Sequence, residues 1–481
     1  MQALAVLATI LGASPHGNQI EVRLDHGSAE LVWVTPSAFR FRRVLEGRLP
    51  EEAAKNREPV QFEVDDTAGA VRVRSRFVEV TLQKRGALVR VRRLDGSPLM
   101  TDLTEPQPSG TGVTWDRQLF TEARYYGLGP RADAVFDLRG KTAQPEAPLL
   151  FSTLGHGEYH AGPGSYRFDF TASTRYRIQA PGIDYYFYYG PALKQVMEEH
   201  NIVRGTAALW PVSTDRFGTW ATLRSALLRI VHGAISAMLS PTLDLGPYAN
   251  ALPELQRRAR QLGSLVAEVS PGKLGMSDLR NQLASFFEVY ATEAHEKGYP
   301  MWHPLPFQFP DDPECALHAD EFMLGDEMLV APIVAPGNTR SLYLPQGVWT
   351  NLATNEVFTG RRAISVTTEA LPVFARNGTI VPLDSSGGMA LHYFPKLGAE
   401  FFLLDEDGWT QIHAAPAADV MRLEIESKKA REYVWVVHHV PRPLSVGFEG
   451  RTIPWTYEGE NLQVRVKVAA GEDAIVNIQF E

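Results

Sequence analysis

In residues 70–82, AVRVRSRFVEVTL, apolar and polar side chains alternate. A period of two residues is typical of a β-strand that buries one face. The same alternation occurs in QIEVRL (19–24) and LVRVRRL (88–94), and turn sequences such as Asp95-Gly96 separate these segments. We therefore predict that residues 1–190 form a large β-sandwich, with the apolar start of the chain as its first strand.

Helical spacing replaces this alternation at Pro191. Pro191 lies near the first turn of a predicted helix, where proline is well tolerated. In the longest predicted helix, Ser277 is a good N-cap and Gly298 ends the helix. The predicted helices are 191–200, 219–231, 253–267 and 277–297.

Short strand patterns return in the last third of the chain, which indicates further β-structure. With the changes of pattern as boundaries, four domains are predicted: 1–190, 191–304, 305–390 and 391–481. The predicted strands in the last two domains include 328–334, 341–345, 370–376 and 434–440.

Composition limits the classes of function. The chain has 481 residues and a formal net charge of -9, from 47 basic and 56 acidic residues. This balance argues against a nucleic-acid partner, which requires a basic face. No segment approaches the ~20 apolar residues of a membrane span, so we expect no membrane partner. Cys315 is the single cysteine, which excludes an intrachain disulfide and a cysteine-based metal site, and we expect it to pack inertly.

The first residues, MQALAVLATILGASPHG, are apolar but lack the positively charged start of a secretory signal. We therefore expect a cytoplasmic protein, with secretion as the alternative.

Several phrases of the sequence resemble glycoside hydrolase family 31. The most specific are WHPLPFQFPDDP (302–313), FMLGDEMLVAPI (322–333) and LPVFARNGTIVPL (371–383). They resemble the end of the family's catalytic barrel and the β-domain behind it. YGLGPR (126–131) and YYFYYGP (185–191) resemble the family's N-terminal sandwich. The resemblance implies an α-glycosidase that acts without a metal or cofactor.

Two further segments resemble strand ends that carry the family's catalytic machinery. In ALWPVSTDRFGTWATLR (208–224), Asp215 takes the position of the family's general acid/base, although the loop after Trp210 is two residues longer. In PTLDLGPY (241–248), Asp244 takes the position of a strand-end aspartate. From the residues alone, Asp215 has the alternative of capping the following helix, and Asp244 of forming the turn before Gly246-Pro247.

A large part of the family's barrel has no counterpart. A (β/α)8 barrel needs roughly 250 residues, and about 115 lie between Pro191 and Leu305. No segment resembles the Asp-Met-Asn-Glu type of motif that holds the family's nucleophile. The expected fold is multidomain α+β: an N-terminal β-sandwich of the galactose-mutarotase type, a partial (β/α) barrel of the TIM type, and two C-terminal β-sandwich domains. The surviving barrel strands are predicted in 201–213 and 234–246.

Retaining and inverting glycosidases both need two carboxyl groups, so Asp215 requires a partner. Asp244 is the first candidate, because successive parallel strands place their C-terminal ends side by side. By resemblance, Glu158, Asp133 and Asp137 lie on loops that approach the barrel mouth. The predicted catalytic residues are Asp215 and Asp244.

Aromatic and charged side chains complete the predicted site. Tryptophan rings could stack on sugars, with packing in the core as the alternative. The predicted substrate-binding residues are Trp210, Trp220, Trp302, Arg204, Arg216 and Glu158.

Two functions are consistent with this pattern. The first is a glycoside hydrolase that acts on a small α-glycoside, with Asp215 as general acid/base on a partial barrel. The alternative is a catalytically inactive sugar-binding or scaffolding pseudo-glycosidase. The expected partner is a carbohydrate, and a second copy of the chain could cover the open edges of an incomplete barrel.

Overall fold

The computed structural model describes residues 7–52, 57–145, 147–205, 209–212, 215–266, 268–270, 274–275, 278–386, 388–417 and 419–481. Strands dominate this part of the chain and pair into several separate sheets. The chain divides into two compact units. Unit 1 comprises 1–207, 235–238 and 297–299, and unit 2 comprises 208–234, 239–296 and 300–481. The expectation of a multidomain, β-rich chain is thereby confirmed, whereas the four predicted domain boundaries stay predictions.

Three antiparallel sheets form most of unit 1. The strands of the first sheet, in spatial order, are Ile10–His16, Gln19–Leu24, Ser28–Thr35, Ala38–Val44, Ile183–Tyr189, His156–His160, Leu149–Ser152 and Tyr125–Gly127. Those of the second are Gln107–Ser109, Gly112–Gln118, Arg175–Ala180, Arg167–Asp169 and Thr142–Ala143. Those of the third are Glu63–Asp66, Ala70–Arg74, Val78–Gln83, Val89–Arg93 and Pro98–Thr101.

One hydrophobic core joins the three sheets of unit 1. It contains Trp33 from the first sheet, Trp115 from the second and Val80 from the third. Because alternate residues point inward, the period of two in the sequence is the direct cause of this layered packing.

The opening stretch 70–82 forms two strands instead of one continuous run. The Ser75 hydroxyl accepts hydrogen bonds from the backbone amides of Phe77 (3.2 Å) and Val78 (3.3 Å). These local hydrogen bonds reverse the chain direction, because the serine hydroxyl gives the backbone amides a partner other than the neighbouring strand.

Helix α1, Leu193–Arg204, ends the continuous part of unit 1. It starts close to the predicted 191–200 and continues four residues beyond it, so the first part of the strand predicted at 201–213 is helical instead. The hydroxyl of Thr35 donates to Glu199 (2.7 Å), which attaches α1 to the sheet.

Unit 2 begins with a three-stranded parallel sheet, called here the parallel sheet. Its strands, in spatial order, are Trp210–Pro211, Pro241–Asp244 and Glu268–Ser270. Helix α2, Trp220–Ala234, and helix α3, Pro253–Gly263, connect consecutive strands in the usual strand-helix-strand manner. The third strand was not predicted from the sequence.

A close approach fixes α2 against the first of these strands. A Cβ atom on Gly233 would lie 2.5 Å from the indole of Trp210. Glycine is therefore required there, because any side chain would collide with the indole ring.

The predicted helix 277–297 is interrupted. Helix α4 covers Asp278–Gln282 and helix α5 covers Ala284–Lys297, while Ser277 lies outside the described residues. The Ser285 amide donates to the carboxylate of Asp384 (2.8 Å). Because this bond takes the amide away from the helical ladder, α5 begins anew at this point.

The rest of unit 2 is almost entirely antiparallel. One sheet contains Trp302–Pro304, Phe322–Leu324, Met328–Val330, Val373–Arg376, Val348–Asn351 and Val357–Thr359. Two strands from the same stretch of sequence, Thr339–Leu344 and Arg362–Thr367, form a separate two-stranded sheet. A second sheet contains Thr379–Ser385, Gly388–Phe394, Arg431–Val437, Asn461–Val468 and Trp455–Glu458. A third contains Ala399–Asp405, Gly408–Ala415, Val420–Glu426, Asp473–Gln479, Ser445–Phe448 and Arg451–Thr452.

Unit 2 also contains the short helix α6, Leu305–Gln308, and the 3₁₀ turns Gly246–Tyr248 and Pro313–Leu317. Cys315, in the second of these turns, is fully buried in a core with Leu329, Trp349 and Phe374. Burial raises the pKa of the Cys315 thiol well above its ordinary value. None of the described helices is long and apolar enough to cross a membrane.

Arg258 joins α3 to the antiparallel part of unit 2. Arg258 is 1% exposed, and its guanidinium donates to the carbonyls of Thr368 and Glu369, each at 3.0 Å. It also donates to the side-chain oxygen of Asn338 at 2.8 Å. A buried cation is thus held by oxygen dipoles on a loop pair.

Candidate active site

Asp215 and Asp244 line the same cavity of unit 2, which has a volume of about 100 Å³. Both residues are exposed. The cavity brings the two predicted catalytic carboxylates together, although they are far apart in sequence. Its other lining residues are Phe217, Thr222, Leu243, Pro247 and Tyr248.

Asp244 is the last residue of the middle strand of the parallel sheet. Its Oδ1 accepts a hydrogen bond from the backbone amide of Gly246 at 2.8 Å. This is the turn role that the sequence offered as the alternative. It does not remove the side chain from solvent, because Asp244 remains exposed.

The cap of α2 is formed by threonines. The Thr219 amide donates to the Thr222 hydroxyl (2.9 Å), and the Thr222 amide donates to the Thr219 hydroxyl (3.1 Å). This reciprocal pair is a capping box. Thr219 therefore caps helix α2, which is the role that the sequence offered Asp215 as the alternative to catalysis.

Tyr248 joins the two sides of the cavity. Its hydroxyl lies 3.3 Å from that of Thr222, and the Gly218 amide donates to the Pro247 carbonyl at 3.0 Å. A Cβ on Gly218 would lie 2.4 Å from the Tyr248 ring, so the segment after Asp215 packs tightly on this turn. Burial raises the pKa of Tyr248, and the nearby charge of Asp215 raises it further.

The chemical capacity of the cavity follows from these groups. Two carboxylates in one cavity can divide the roles of proton donor and of nucleophile or base. Phe217, at 78% exposure, offers an aromatic surface at the rim. Within the described ranges, no three His, Cys, Asp or Glu side chains lie close enough to hold a metal ion.

The predicted tryptophans occupy different environments. Trp302 is 1% exposed, and its indole nitrogen donates to the Leu265 carbonyl at 2.6 Å. Trp210 is buried against Gly233, and Trp220 is half-buried at the start of α2. Trp302 and Trp210 are core residues, which corrects the prediction that they bind sugar, because a buried ring has no face to offer. Arg216 is exposed, one residue after Asp215.

Glu158 lies in the core of unit 1 and has no exposed surface. Its carboxylate pairs with Arg117 and accepts a hydrogen bond from the Tyr176 hydroxyl at 2.9 Å. Burial alone would raise the pKa of Glu158, but the charge of Arg117 outweighs it and holds this pKa well below its usual range. The placement corrects the prediction that Glu158 binds substrate, because a core ion pair cannot contact a sugar that arrives from solvent.

The other charged candidates also lie in unit 1. Asp133 pairs with Arg131 at 2.7 Å, and Asp137 pairs with Arg139. Arg204 is exposed at the end of α1, with its guanidinium 4.8 Å from the centre of the Tyr159 ring. Their proposed roles toward a sugar stay predictions.

Four residues of the cavity were not singled out from the sequence: Phe217, Thr222, Leu243 and Tyr248. Tyr248 follows Asp244 by four residues, directly after the Gly246-Pro247 turn. Since such a turn folds the following side chain back toward the strand end, this spacing was the signal that could have identified it.

Comparison with known proteins supports a relation to carbohydrate enzymes. The family model "Glycosyl hydrolase family 31 C-terminal domain" matches residues 298–381. An α-glucosidase 2 of Bacillus thermoamyloliquefaciens is 28% identical over 265 residues, which cover 48% of this chain and 33% of that protein. An α-glucosidase of Saccharolobus solfataricus is 37% identical over 107 residues, covering 22% of this chain and 15% of that protein. The matched part thus spans a third or less of the length of these curated relatives.

Solved structures share the fold at low identity. A family 31 dextranase of Flavobacterium johnsoniae, complexed with isomaltotriose, aligns with a TM-score of 0.82 at 12% identity, covering 99% of this chain and 100% of that chain. A cycloalternan-forming enzyme from Listeria monocytogenes, in complex with a pentasaccharide substrate, aligns with a TM-score of 0.82 at 13% identity, covering 98% of this chain and 77% of that chain. At this identity the likeness shows the fold alone. Together with the family match, it confirms the resemblance that the sequence phrases indicated.

Proposed function

We propose that this chain, a relative of the family 31 glycosidases, hydrolyses a small α-glycoside in the cavity between Asp215 and Asp244. The observation that carries the proposal is that both exposed carboxylates line one cavity. In the proposal Asp215 is the general acid/base and Asp244 is the second carboxylate. The curated relatives are named as α-glucosidases, which supports the same class of substrate.

The proposed chemistry needs no group beyond water and these side chains. Asp215 donates its proton to the glycosidic oxygen as the bond between that oxygen and the anomeric carbon breaks. Asp244 either attacks the anomeric carbon or removes a proton from the attacking water. The separation of the two carboxylates decides which: about 5–5.5 Å for the first and about 6.5–9.5 Å for the second. Hydrolysis of the glycosyl enzyme, or direct attack by water, then yields the free sugar.

The parallel sheet supports a proposal about the fold. Three consecutive parallel strands, two of them followed by helices, have the organisation of part of a (β/α) barrel. Asp244 lies at a C-terminal strand end, which is where such barrels carry their active sites. We propose that this sheet is the partial barrel, and that the three sheets of unit 1 form a galactose-mutarotase-like sandwich.

A second copy of the chain is the proposed cover for the open sheet. Among the described strands, the parallel sheet ends at Trp210–Pro211 on one side and at Glu268–Ser270 on the other. Open edges of this kind invite pairing with another chain. Sedimentation velocity tests this directly: a dimer is expected, and a monomer at micromolar concentration would contradict it. A cytoplasmic location, expected from the sequence, stays a prediction.

The catalytic proposal is tested with a panel of nitrophenyl α- and β-glycosides. Release of nitrophenol is expected from an α-glycoside, and Asp215→Asn and Asp244→Asn should each lower kcat at least 100-fold. Asp311→Asn, at an exposed aspartate of unit 2 outside the cavity, is the control and should keep full activity.

The outcomes separate the proposal from its alternative. Unchanged activity in Asp215→Asn would remove this residue from the mechanism. Sugar binding in a calorimeter without turnover of any glycoside would instead identify an inactive sugar-binding protein.

A further inference from the structure

An exposed aromatic patch lies on the sheet that contains Ala399–Asp405 and Gly408–Ala415. Phe402 is 39% exposed and Trp409 is 38% exposed, although both lie in regular strands. We call the outward side chains of Phe402, Trp409, Gln411 and His413 the aromatic face. Trp409 is the tryptophan with the greatest exposure, since the others are buried or half-buried.

Strand register sets the spacing of the aromatic face. Phe402 pairs directly with Gln411, and Trp409 lies two residues before Gln411 on the same strand. The two aromatic side chains are therefore diagonal neighbours, about 7–8 Å apart at their Cα atoms. Gln411 lies beside both, with an amide that can donate and accept.

The Phe402 ring is held in place by an edge contact. The rings of Phe402 and His413 have centroids 6.2 Å apart and an interplanar angle of 88°. The edge-to-face arrangement is the favoured one for such a pair. It orients Phe402 without covering its outward surface, as the exposure shows.

The rim of the aromatic face carries three carboxylates, Glu400, Glu424 and Glu426, and one arginine, Arg422, which pairs with Glu424. His413 pairs across the ladder with Glu424, and Gln411 pairs with Glu426. Glu400 lies 3.9 Å from His413. Carboxylates accept hydrogen bonds from hydroxyl groups, and they repel anionic ligands.

We propose that the aromatic face binds a neutral pyranose oligosaccharide, independently of the cavity at Asp215 and Asp244. The rings of Phe402 and Trp409 stack on the apolar faces of two sugar units. Gln411 and the rim carboxylates bind their hydroxyl groups. An uncharged, hydroxyl-rich chain is the occupant that fits, because the rim keeps a net negative charge after Arg422 pairs with Glu424 and therefore disfavours polyanions. A protein partner needs a larger continuous apolar area than two rings surrounded by carboxylates.

A second aromatic pair in the same region shows what distinguishes this one. Trp455 and Tyr457 also lie two residues apart on one strand. The guanidinium of Arg442 lies 5.4 Å from the centre of the Trp455 ring and 5.9 Å from that of Tyr457. The Tyr457 hydroxyl donates to the Val440 carbonyl at 2.9 Å. That pair is engaged within the chain, whereas Phe402 and Trp409 present their rings to solvent.

Native electrophoresis through gels that contain dextran, soluble starch or barley β-glucan tests the proposal on the full chain. At least one polysaccharide should retard the wild type, and the double variant Phe402→Ser/Trp409→Ser should bind it roughly tenfold more weakly or worse. The matched control is Phe77→Ser, at a phenylalanine of unit 1 with 37% exposure. Trp409→Phe, which keeps an aromatic ring, should retain binding within about threefold.

Several outcomes would overturn the proposal. One is the absence of retardation by all three polysaccharides. Another is retardation that persists in the double variant but is lost in Asp215→Asn/Asp244→Asn, which would place the sugar in the cavity. A dimer that dissociates on Trp409→Ser would make the face a protein interface. Circular dichroism melts confirm that each variant is folded before its binding is compared, and the test requires no turnover.

Discussion

Glu158 in unit 1 and Glu327 in unit 2 are both buried, yet their surroundings shift the pKa of the two carboxyl groups in opposite directions. Glu158 faces Arg117, whose charge keeps its pKa well below the ordinary value. Glu327 accepts a hydrogen bond from the Tyr290 hydroxyl at 2.7 Å and lies next to Asp326. Burial raises the pKa of Glu327 to about 8, and the charge of Asp326 adds to this shift.

The difference teaches that burial alone does not determine what a carboxyl group does. A cationic partner keeps a buried carboxylate charged, whereas a neutral hydroxyl leaves it protonated at neutral pH. Asp215 and Asp244 represent a third condition, because both are exposed at a strand-end cavity. Each condition predicts a different response to mutation.

The largest expected effect is in the core of unit 1. Glu158→Ala should lower the free energy of unfolding by about 3–5 kcal/mol, because it leaves buried Arg117 with half of its counter-charge. Glu158→Gln should cost less, since its amide oxygen can still accept a hydrogen bond from Arg117 or from the Tyr176 hydroxyl. Urea denaturation followed by circular dichroism measures both. A loss below about 1 kcal/mol for Glu158→Ala would show that the pair is not a structural requirement.

Arg258 tests a buried cation that is held by dipoles instead of a carboxylate. Arg258→Met should lower the free energy of unfolding by about 2 kcal/mol, because the Thr368 carbonyl and the Asn338 side-chain oxygen lose the hydrogen bonds that Arg258 donates. Arg257→Met, at the neighbouring and more exposed arginine, is the control and should change stability less. Equal effects of the two substitutions would contradict the importance of these hydrogen bonds.

The pH dependence of stability tests the protonated state of Glu327. Its folded pKa of about 8 exceeds its ordinary value of 4.5, so the folded state holds a proton that the unfolded state releases. Its contribution to stability is complete below pH 4.5 and is lost as the pH rises to about 8. Between these limits the loss is on the order of 1 kcal/mol per pH unit.

Glu327→Gln mimics the neutral acid and should flatten this slope, so the variant melts at a higher temperature than the wild type at pH 8. Glu314→Gln, at an exposed glutamate, is the control. Melting curves of the wild type and the two variants at pH 6 and pH 8 test whether Glu327 loses its proton in this range. Parallel shifts in all three would mean that Glu327 does not titrate in this range.

The smallest expected effect concerns the cavity. Asp215→Asn and Asp244→Asn should each change the free energy of unfolding by less than about 0.5 kcal/mol, because both residues are exposed. Thermal melts measure this alongside the activity assay. A loss above 2 kcal/mol in either variant would assign that carboxylate to stability.

Much of the fold followed from periodicity and from helix boundary signals. The strand Gln19–Leu24 and the helices α2 and α3 form close to where spacing and proline predicted them. The break before α5 could not be predicted, because Asp384 lies 99 positions from Ser285 in sequence and enters only through tertiary structure.

The candidate site was predictable to a similar degree. Asp215 and Asp244 share a cavity as expected from strand ends that lie side by side. Glu158 was misplaced because its strand, His156–His160, turns polar side chains inward and leaves Gly157 and Tyr159 between them. Polar side chains on the inward face of a strand are the reverse of the usual pattern. Sequence alone did not reveal the buried ion pair, because it does not show that Arg117 lies opposite Glu158.

The single cysteine can report how fast one core of unit 2 opens. Cys315 is buried with Trp349 and Phe374 in a core of unit 2, so a maleimide reaches it only when that core opens. The labelling rate therefore measures how often the core around Cys315 opens. No other thiol in the sequence competes for the reagent. By the same logic, a cysteine introduced at exposed Phe217 would label alone in the native state and provide a handle at the rim of the cavity.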